Sequence, residues 1–285
     1  MTAGGTVEHA TAVPTFADLT LSGELPRQAF VAQIMGLPIS VHVRGPRARS
    51  VEVAAEVDTL FAALRADDER FSPWKAGSVV SRIQRGELRR ADAEPRVREV
   101  ADLCEEAARR TGGAFSAWLP GPDGAPRFDP TGLVKGWAAG QAFEQLTERL
   151  RRFGAHDALI SAGGDVAVAC RRTDTPDWVV GIEDPGDRSR VLLTVPLRSG
   201  AVATSGTAAR GRHILDPATG APATGLRSAT VIGADLTWAD VYATAAFVRG
   251  PDAAAWAATL SGHAVVLVDL EGVVRTIAPT AGSSA

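Results

Sequence analysis

The sequence predicts an α+β fold: a single compact domain with mostly antiparallel sheets and flanking helices. Three observations predict it. The second half is dense in short β-rich runs joined by turns too short for parallel crossovers. Helical patterns concentrate in the first half, so helices and strands are partly segregated. No internal repeat, charge block or interdomain linker interrupts the 285 residues. The domain is expected over residues 28–278, with flexible tails at 1–27 and 279–285.

Residues 28–44 read as strand, turn, strand, with apolar Ile39, Val41 and Val43 following a Met-Gly-Leu-Pro break. Val53, Val57, Leu60, Phe61 and Leu64 recur at helical spacing and predict an amphipathic helix over 50–66. Residues 71–87 read as a loop and a short helix, punctuated by Pro73 and Gly77. Val97, Val100, Cys104 and Ala108 predict a helix over 96–110, stopped at Thr111-Gly112-Gly113. Residues 118–128 read as a Pro/Gly loop. A second strong helix is expected over 133–153, with Ala138, Ala142, Leu146, Leu150 and Phe153 on one face. Strands are expected at 158–164, 166–170, 178–184, 191–197, 201–205, 228–233 and 264–269, and helices at 238–249 and 252–261.

Composition excludes several classes. Apolar residues at 45% can fill a core, and a net charge of −3 does not suit a general nucleic-acid binder. The two cysteines, Cys104 and Cys170, form no CxxC pair, which excludes a zinc knuckle or a disulfide framework and leaves buried free thiols as the expectation. No apolar run is long enough to span a membrane. The N-terminal residues show no signal peptide, and no cysteine precedes Cys104 to carry a lipid, so the expected location is cytoplasmic. Only two of the 30 basic residues are lysines, Lys75 and Lys135.

Four segments hold residues that chemistry uses. In 129–140, Asp129-Pro130-Thr131-Gly132 is a turn that leads into a helix, where Asp129 or Thr131 can cap open N–H groups. Lys135 in the first turn opposes the helix dipole, yet a helix start plus a lysine suits a phosphate. Gly136 lets a ligand or another backbone come close. In 161–165, Gly163 and Gly164 can expose backbone N–H groups to an anionic or ring-shaped ligand, though a plain hairpin turn explains them equally well. The stretch 204–220 gathers Thr204, Ser205, Arg210, His213 and Asp216, with a strong turn at 216–220. In 237–244, Thr237 and Asp240 fit a capping box. Asp240 and Thr244 also share a helix face, and their oxygens suit a hard cation such as Mg²⁺. Together these segments point to a diphosphate site with a divalent cation.

The ordered set MGLPIS, FSPW with VSR, TGGAF, DPTGLVKGWA, SAGGD, AVATSG, HILDPATG and AD with a threonine four residues after the aspartate resembles the ApbE family, the FAD:protein FMN transferases. The likeness covers residues 33–270. It implies an ApbE-like domain that takes FAD as substrate and Mg²⁺ as cofactor, with Mn²⁺ as the alternative metal. The implied reaction moves FMN onto a Ser or Thr hydroxyl of an acceptor flavoprotein through a phosphoester bond, releasing AMP. By the same resemblance Asp240 and Thr244 match metal ligands, with Gly132 and Ala243 in the metal set, Gly132 through its carbonyl oxygen alone. FAD contacts match Met35, Trp74, Ala114, Phe115, Ser116, Asp129, Lys135 and Leu215, to which the residue reading adds Gly163 and Gly164. His213 matches a base for the acceptor hydroxyl, and Asp240 joins it in the catalytic set. Ser116 stands where many members carry Asp, and Trp74 where Tyr is common; either ring can stack on a flavin or adenine. An FAD pyrophosphatase and a non-catalytic FAD-binding protein are the alternatives.

Overall fold

The computed structural model describes residues 25–121, 124–207, 211 and 214–280. An antiparallel hairpin opens it: β1 (Arg27–Ile34) and β2 (Leu37–Arg44) meet across a Met35-Gly36 turn. Met35 is the only non-glycine residue with positive φ (56°) among the described residues. That left-handed geometry fits the two-residue hairpin turn and strains a side chain other than glycine.

Ser50 caps α1 (Val51–Phe71) by accepting the Val53 N–H at 3.3 Å. The predicted stripe Val53, Val57, Leu60, Phe61, Leu64 is buried as expected. The helix runs past residue 66 because Asp67, in its polar C-terminal turn, is buried against Arg96, which donates to both its oxygens at 2.7 and 2.6 Å. Next come α2 (Val79–Gln84) and α3 (Pro95–Arg110). The expected loop over 118–128 is instead a small hairpin of β3 (Trp118–Pro120) and β4 (Pro126–Phe128). Its signal is a ring contact between Trp118 and Phe128 at 5.5 Å, which no short-period pattern shows.

The long helix α4 (Thr131–Leu150) starts two residues earlier than expected. Asp129 explains this, because its Oδ1 accepts both the Thr131 N–H at 3.0 Å and the Thr131 hydroxyl at 2.6 Å. Then follow β5 (Asp157–Ala162), β6 (Asp165–Ala169), β7 (Trp178–Asp184), β8 (Asp187–Leu197), β9 (Ser199–Gly206) and β10 (Leu226–Gly233). The chain ends in α5 (Leu236–Arg249), α6 (Ala253–Ala257), β11 (Ala264–Asp269) and β12 (Val274–Ile277). The last strand was not expected, since Val274, Arg275 and Thr276 are exposed and carry no alternation.

Eight strands form one sheet in the order β1-β2-β5-β6-β9-β10-β11-β12, and every neighbouring pair is antiparallel. Strand alternation splits its side chains between two faces. One face packs Ile39, Val41, Ile160, Ala167, Ala203 and Val231 against the helices. The other packs Val168, Val202 and Val266 against Val180 and Ile182 of the separate β7–β8 hairpin. Asp157 anchors the turn before that hairpin by accepting the Arg171 and Arg172 N–H groups and the Arg44 guanidinium.

On the helical face α4 and α5 touch through glycines. A Cβ at Gly136 would lie 2.9 Å from Asp240 Cβ, 2.9 Å from its Oδ2 and 3.0 Å from the Leu236 carbonyl. One turn further on, a Cβ at Gly140 would meet only ordinary contacts, 3.5 Å to Leu236 and 3.9 Å to Thr237. The expectation that Gly136 admits a second backbone is met by α5. Gly140→Ala should therefore stabilise the chain by about 0.5–1 kcal/mol through lower unfolded-state entropy. Gly136→Ala should reverse that sign and cost about 1–3 kcal/mol by wedging the helices apart. Urea unfolding of the two variants tests the contrast, and a stabilised Gly136→Ala would refute the close packing.

Candidate active site

The α4–α5 contact brings together side chains that lie far apart in sequence. Lys135 lies one turn inside α4 rather than in its first turn, because the helix begins at Thr131. Its ammonium pairs with Asp165 Oδ2 and lies 3.3 Å from Asp240 Oδ1. Asp165 opens β6 and points to the helical face, as Ala167 does two residues on. Its second oxygen accepts the Thr204 N–H of β9 at 3.0 Å. Asp165 and Asp240 are buried, at 2% and 3% exposure.

Asp240 is the least satisfied member. Its Oδ2 is buried and has no hydrogen-bond partner. A buried carboxylate oxygen without a partner carries a desolvation cost that a cation or a proton would relieve. Burial pushes the Asp240 carboxyl up to about 7; Lys135 pulls it back, while the Asp165 charge adds to the rise. Burial alone would lower the Lys135 value, but the Asp240 and Asp165 charges outweigh it and hold the ammonium well above the ordinary lysine range. Lys135 therefore stays charged at neutral pH.

One helical turn after Asp240, the Thr244 hydroxyl lies 3.0 Å from the Ser205 hydroxyl of β9. Ser205 faces the helices because Ala201 and Ala203, at even spacing before it, do so too. The antiparallel register of α4 on α5 runs from Gly140 at Leu236 and Thr237 to Gly136 at Asp240. Asp240 thus meets α4 at Gly136, whereas Gly132 in the first turn of α4 faces the Phe115 ring. Ala243 is fully buried and has only a backbone oxygen to offer, which lies within the interior of α5.

The other sequence-derived residues stand around this centre. Gly163 and Gly164, at φ 62° and 103°, form the turn that leads straight into Asp165. A Cβ on Gly163 would sit 3.0 Å from the Leu37 side chain, which places the Met35-Gly36 turn beside this one. Phe115 is buried with its ring against Gly132, whose Cβ would lie 3.2 Å away. Ala114 packs on the core next to it. The Ser116 hydroxyl accepts the Trp118 N–H at 3.0 Å. Trp74 is 83% exposed and lines a groove of about 710 Å³ with Pro73, Ser81, Gln84 and Arg127. Gln84 ties that groove to the site by donating to the Phe128 carbonyl, one residue before Asp129. Leu215 bridges Pro222 across the closed 216–220 turn, which rests on β3 through Gly220 and Pro120. His213 and Arg210 lie outside the described residues.

Two expectations change. The capping box does not form, because Asp235 caps α5 instead, accepting the Trp238 N–H at 2.8 Å. Asp240 is thereby free of the structural duty that its spacing from Thr237 suggested. Cys104 is buried as expected, but Cys170 is only half-buried and lies 3.4 Å from Arg44. Sequence reasoning also left Asp165 without a role, although the Gly-Gly turn before it and its parity with Ala167 place it on the helical face.

The donors present fit a hard divalent cation. They are oxygens, one of them the orphaned Asp240 Oδ2. Among the described residues no cluster of three or more His, Cys, Asp and Glu side chains could hold a metal alone. A cation here would complete its shell with hydroxyl or backbone oxygens, water or substrate phosphate. No helix among the described residues is long and apolar enough to cross a membrane.

A family model described as the ApbE family matches residues 122–267. A Klebsiella pneumoniae (strain 342) protein named FAD:protein FMN transferase is 26% identical over 269 residues, spanning 74% of this chain and 76% of that one. A Treponema pallidum protein of the same name is 32% identical over 142 residues, 44% of this chain and 38% of that one. Among solved structures, an ApbE protein from Thermotoga maritima superposes with a TM-score of 0.75 at 22% identity, covering 88% of this chain and 96% of that one. The apo flavinyl transferase ApbE of Pseudomonas stutzeri gives 0.71 at 24%, covering 90% and 96%. The name these relatives share places the chain among transferases. The chain belongs to the ApbE family.

The Asp240 shift predicts a pH dependence. Its folded-state value of about 7 exceeds the ordinary 3.8, so the folded chain holds a proton that the unfolded chain releases. Stability from this group is present below the unfolded value and is lost as pH rises through the folded one. In metal-free protein Asp240→Asn should flatten that decline, as read by urea unfolding in EDTA at about pH 4.5 and about pH 7.5. A slope equal to that of the unmodified chain would refute the buried, raised carboxyl.

Proposed function

We propose that the chain is an FAD:protein FMN transferase that uses a divalent cation. The observation that carries this reading is the buried Lys135-Asp165-Asp240 centre with one Asp240 oxygen left unpartnered beside Thr244. The family and the names of its relatives supply the substrate class.

Asp240 and Thr244 would hold the cation, and the Gly132 carbonyl is the third oxygen that the family resemblance implies. When bound, the cation neutralises charge on the diphosphate of FAD. Lys135, held in its charged form by two carboxylates, sets a second positive charge at the same place. The Gly163 N–H is used by the Pro38 carbonyl at 3.1 Å, which leaves Gly164 as the glycine of that turn to approach a ligand, and Trp74 offers an exposed ring for stacking. The hydroxyl oxygen of an acceptor Ser or Thr forms a bond to the phosphorus of the FMN half. The bond from that phosphorus to the bridging oxygen breaks, and AMP leaves with the electron pair. The hydroxyl proton goes to His213 in this proposal.

The test is AMP release from FAD with Mg²⁺, with and without a flavin-acceptor domain, read beside covalent flavin fluorescence on a denaturing gel. AMP and a fluorescent acceptor band, both lost in EDTA, are expected. AMP and free FMN without acceptor would instead make the chain a pyrophosphatase, and binding of FAD without AMP in any tube would make it a carrier. Asp240→Ala should abolish metal-dependent turnover while the chain stays folded by circular dichroism. His213→Ala should slow transfer by about 10²–10⁴-fold with little change in FAD affinity. Lys135→Ala should weaken FAD more than riboflavin in a fluorescence titration, and equal weakening would remove its phosphate role.

A further inference from the structure

Lys135 and Asp240 are close enough to form a full ion pair, and such a pair would occupy the oxygens that a cation needs. The structure shows why this does not happen. Lys135 is drawn to Asp165 and touches Asp240 only through Oδ1 at 3.3 Å. Asp165 cannot turn away, because its other oxygen accepts the Thr204 N–H from β9 and the residue is 2% exposed. The α4 backbone at Gly136 backs the Asp240 carboxylate, so closely that a Cβ there would fall 2.9 Å from its Cβ and its Oδ2, and this limits how far Asp240 turns. One carboxylate oxygen is left over, buried and unpartnered.

We infer that Asp165 is a positioning residue that keeps Lys135 from occupying the cation site on Asp240. It acts as the counter-ion that holds the ammonium aside, so the lysine stays charged next to the site without closing it. This inference rests on the metal-binding reading of Asp240 above. Without the Asp165 charge, Lys135 has one carboxylate to pair with, and its ammonium moves onto both oxygens of Asp240. Opposite charges in a poorly solvated site attract strongly enough to make that rearrangement decisive.

The test is Mn²⁺ binding to the full chain without FAD, read from the free-ion electron paramagnetic resonance signal. Four proteins are compared: the unmodified chain, Asp165→Asn, Lys135→Met and the double variant, with Asp240→Ala as the blank. Asp165→Asn keeps an oxygen for the Thr204 N–H and removes only the charge. It should weaken Mn²⁺ binding by about tenfold or more. Lys135→Met alone should tighten binding. In the Lys135→Met background the Asp165→Asn change should have an effect of about twofold or less, because its target is gone. A merely structural aspartate, or one acting through its own charge on the metal, would lose as much affinity with the lysine absent as with it present, and that result overturns the inference. Unchanged binding by Asp165→Asn overturns it as well. Equal binding by the unmodified chain and Asp240→Ala would overturn the metal reading itself, and the inference with it. Thermal unfolding confirms that each variant is folded; should Asp165→Asn fail, Asp165→Ser carries the same comparison.

Discussion

The site depends on how closely α4 and α5 approach. Gly136 permits it: its bare Cα faces Asp240 and the Leu236 carbonyl at distances where no side chain fits. A normal interhelical spacing would draw Asp240 away from Lys135, which keeps Asp165, and leave the Asp240 charge buried alone, which is far more costly than burying it beside the ammonium. The approach is also supported from below. Ala201, Ala203 and Ala229 of the sheet face Ala239, Ala243 and Ala246 of α5, and small side chains on both surfaces let the helix sit deep. Packing thus decides the electrostatics, because the residues that carry charge are placed by residues that carry almost no side chain.

That arrangement resolves a conflict in the sequence. A lysine near a helix N-terminus opposes the helix dipole, and two aspartates in a core are expensive. Each problem offsets the other. Lys135 sits one turn further into α4 than its sequence suggests, where the dipole acts more weakly, and Asp165 and Asp240 more than compensate for its burial. The remaining imbalance falls on a single atom, Asp240 Oδ2. An imbalance confined to one buried oxygen is a specific locus of unmet negative charge, whereas one spread over an exposed acidic patch would be screened by water.

Hydrophobic periodicity made most of the elements legible. Val53 through Leu64 wrote α1, and the alternation in 158–170 and 201–205 wrote the centre of the sheet. What was not legible follows from physics that has no period. The Trp118–Phe128 contact makes the small hairpin, and β12 is held by its pairing with β11 while its side chains stay exposed. The extension of α1 depends on Arg96, which belongs to another helix. The capping box failed for a local reason: Asp235, two residues before Thr237, stands at the N-cap and takes the Trp238 N–H. Asp165 was readable only as the end of a Gly-Gly turn. Its partners come from α4 and β9, some 30 and 39 residues away, and a single sequence has no term for that distance.

The charge of the centre also bears on its substrate. One ammonium and two carboxylates sum to a negative site, which by itself repels a diphosphate. On the proposed metal reading, a divalent cation at Asp240 would reverse that sign, since the oxygen that would receive it is buried without a protein partner. On that reading anion affinity would be conditional on the metal: cation and diphosphate would favour one another, while a diphosphate alone would meet an unfavourable field. A lysine released to pair with Asp240 would remove this conditionality, because the site would be neutralised from within. On the proposed metal reading, holding Lys135 to Asp165 would therefore allow the charge of the site to be set by what it binds.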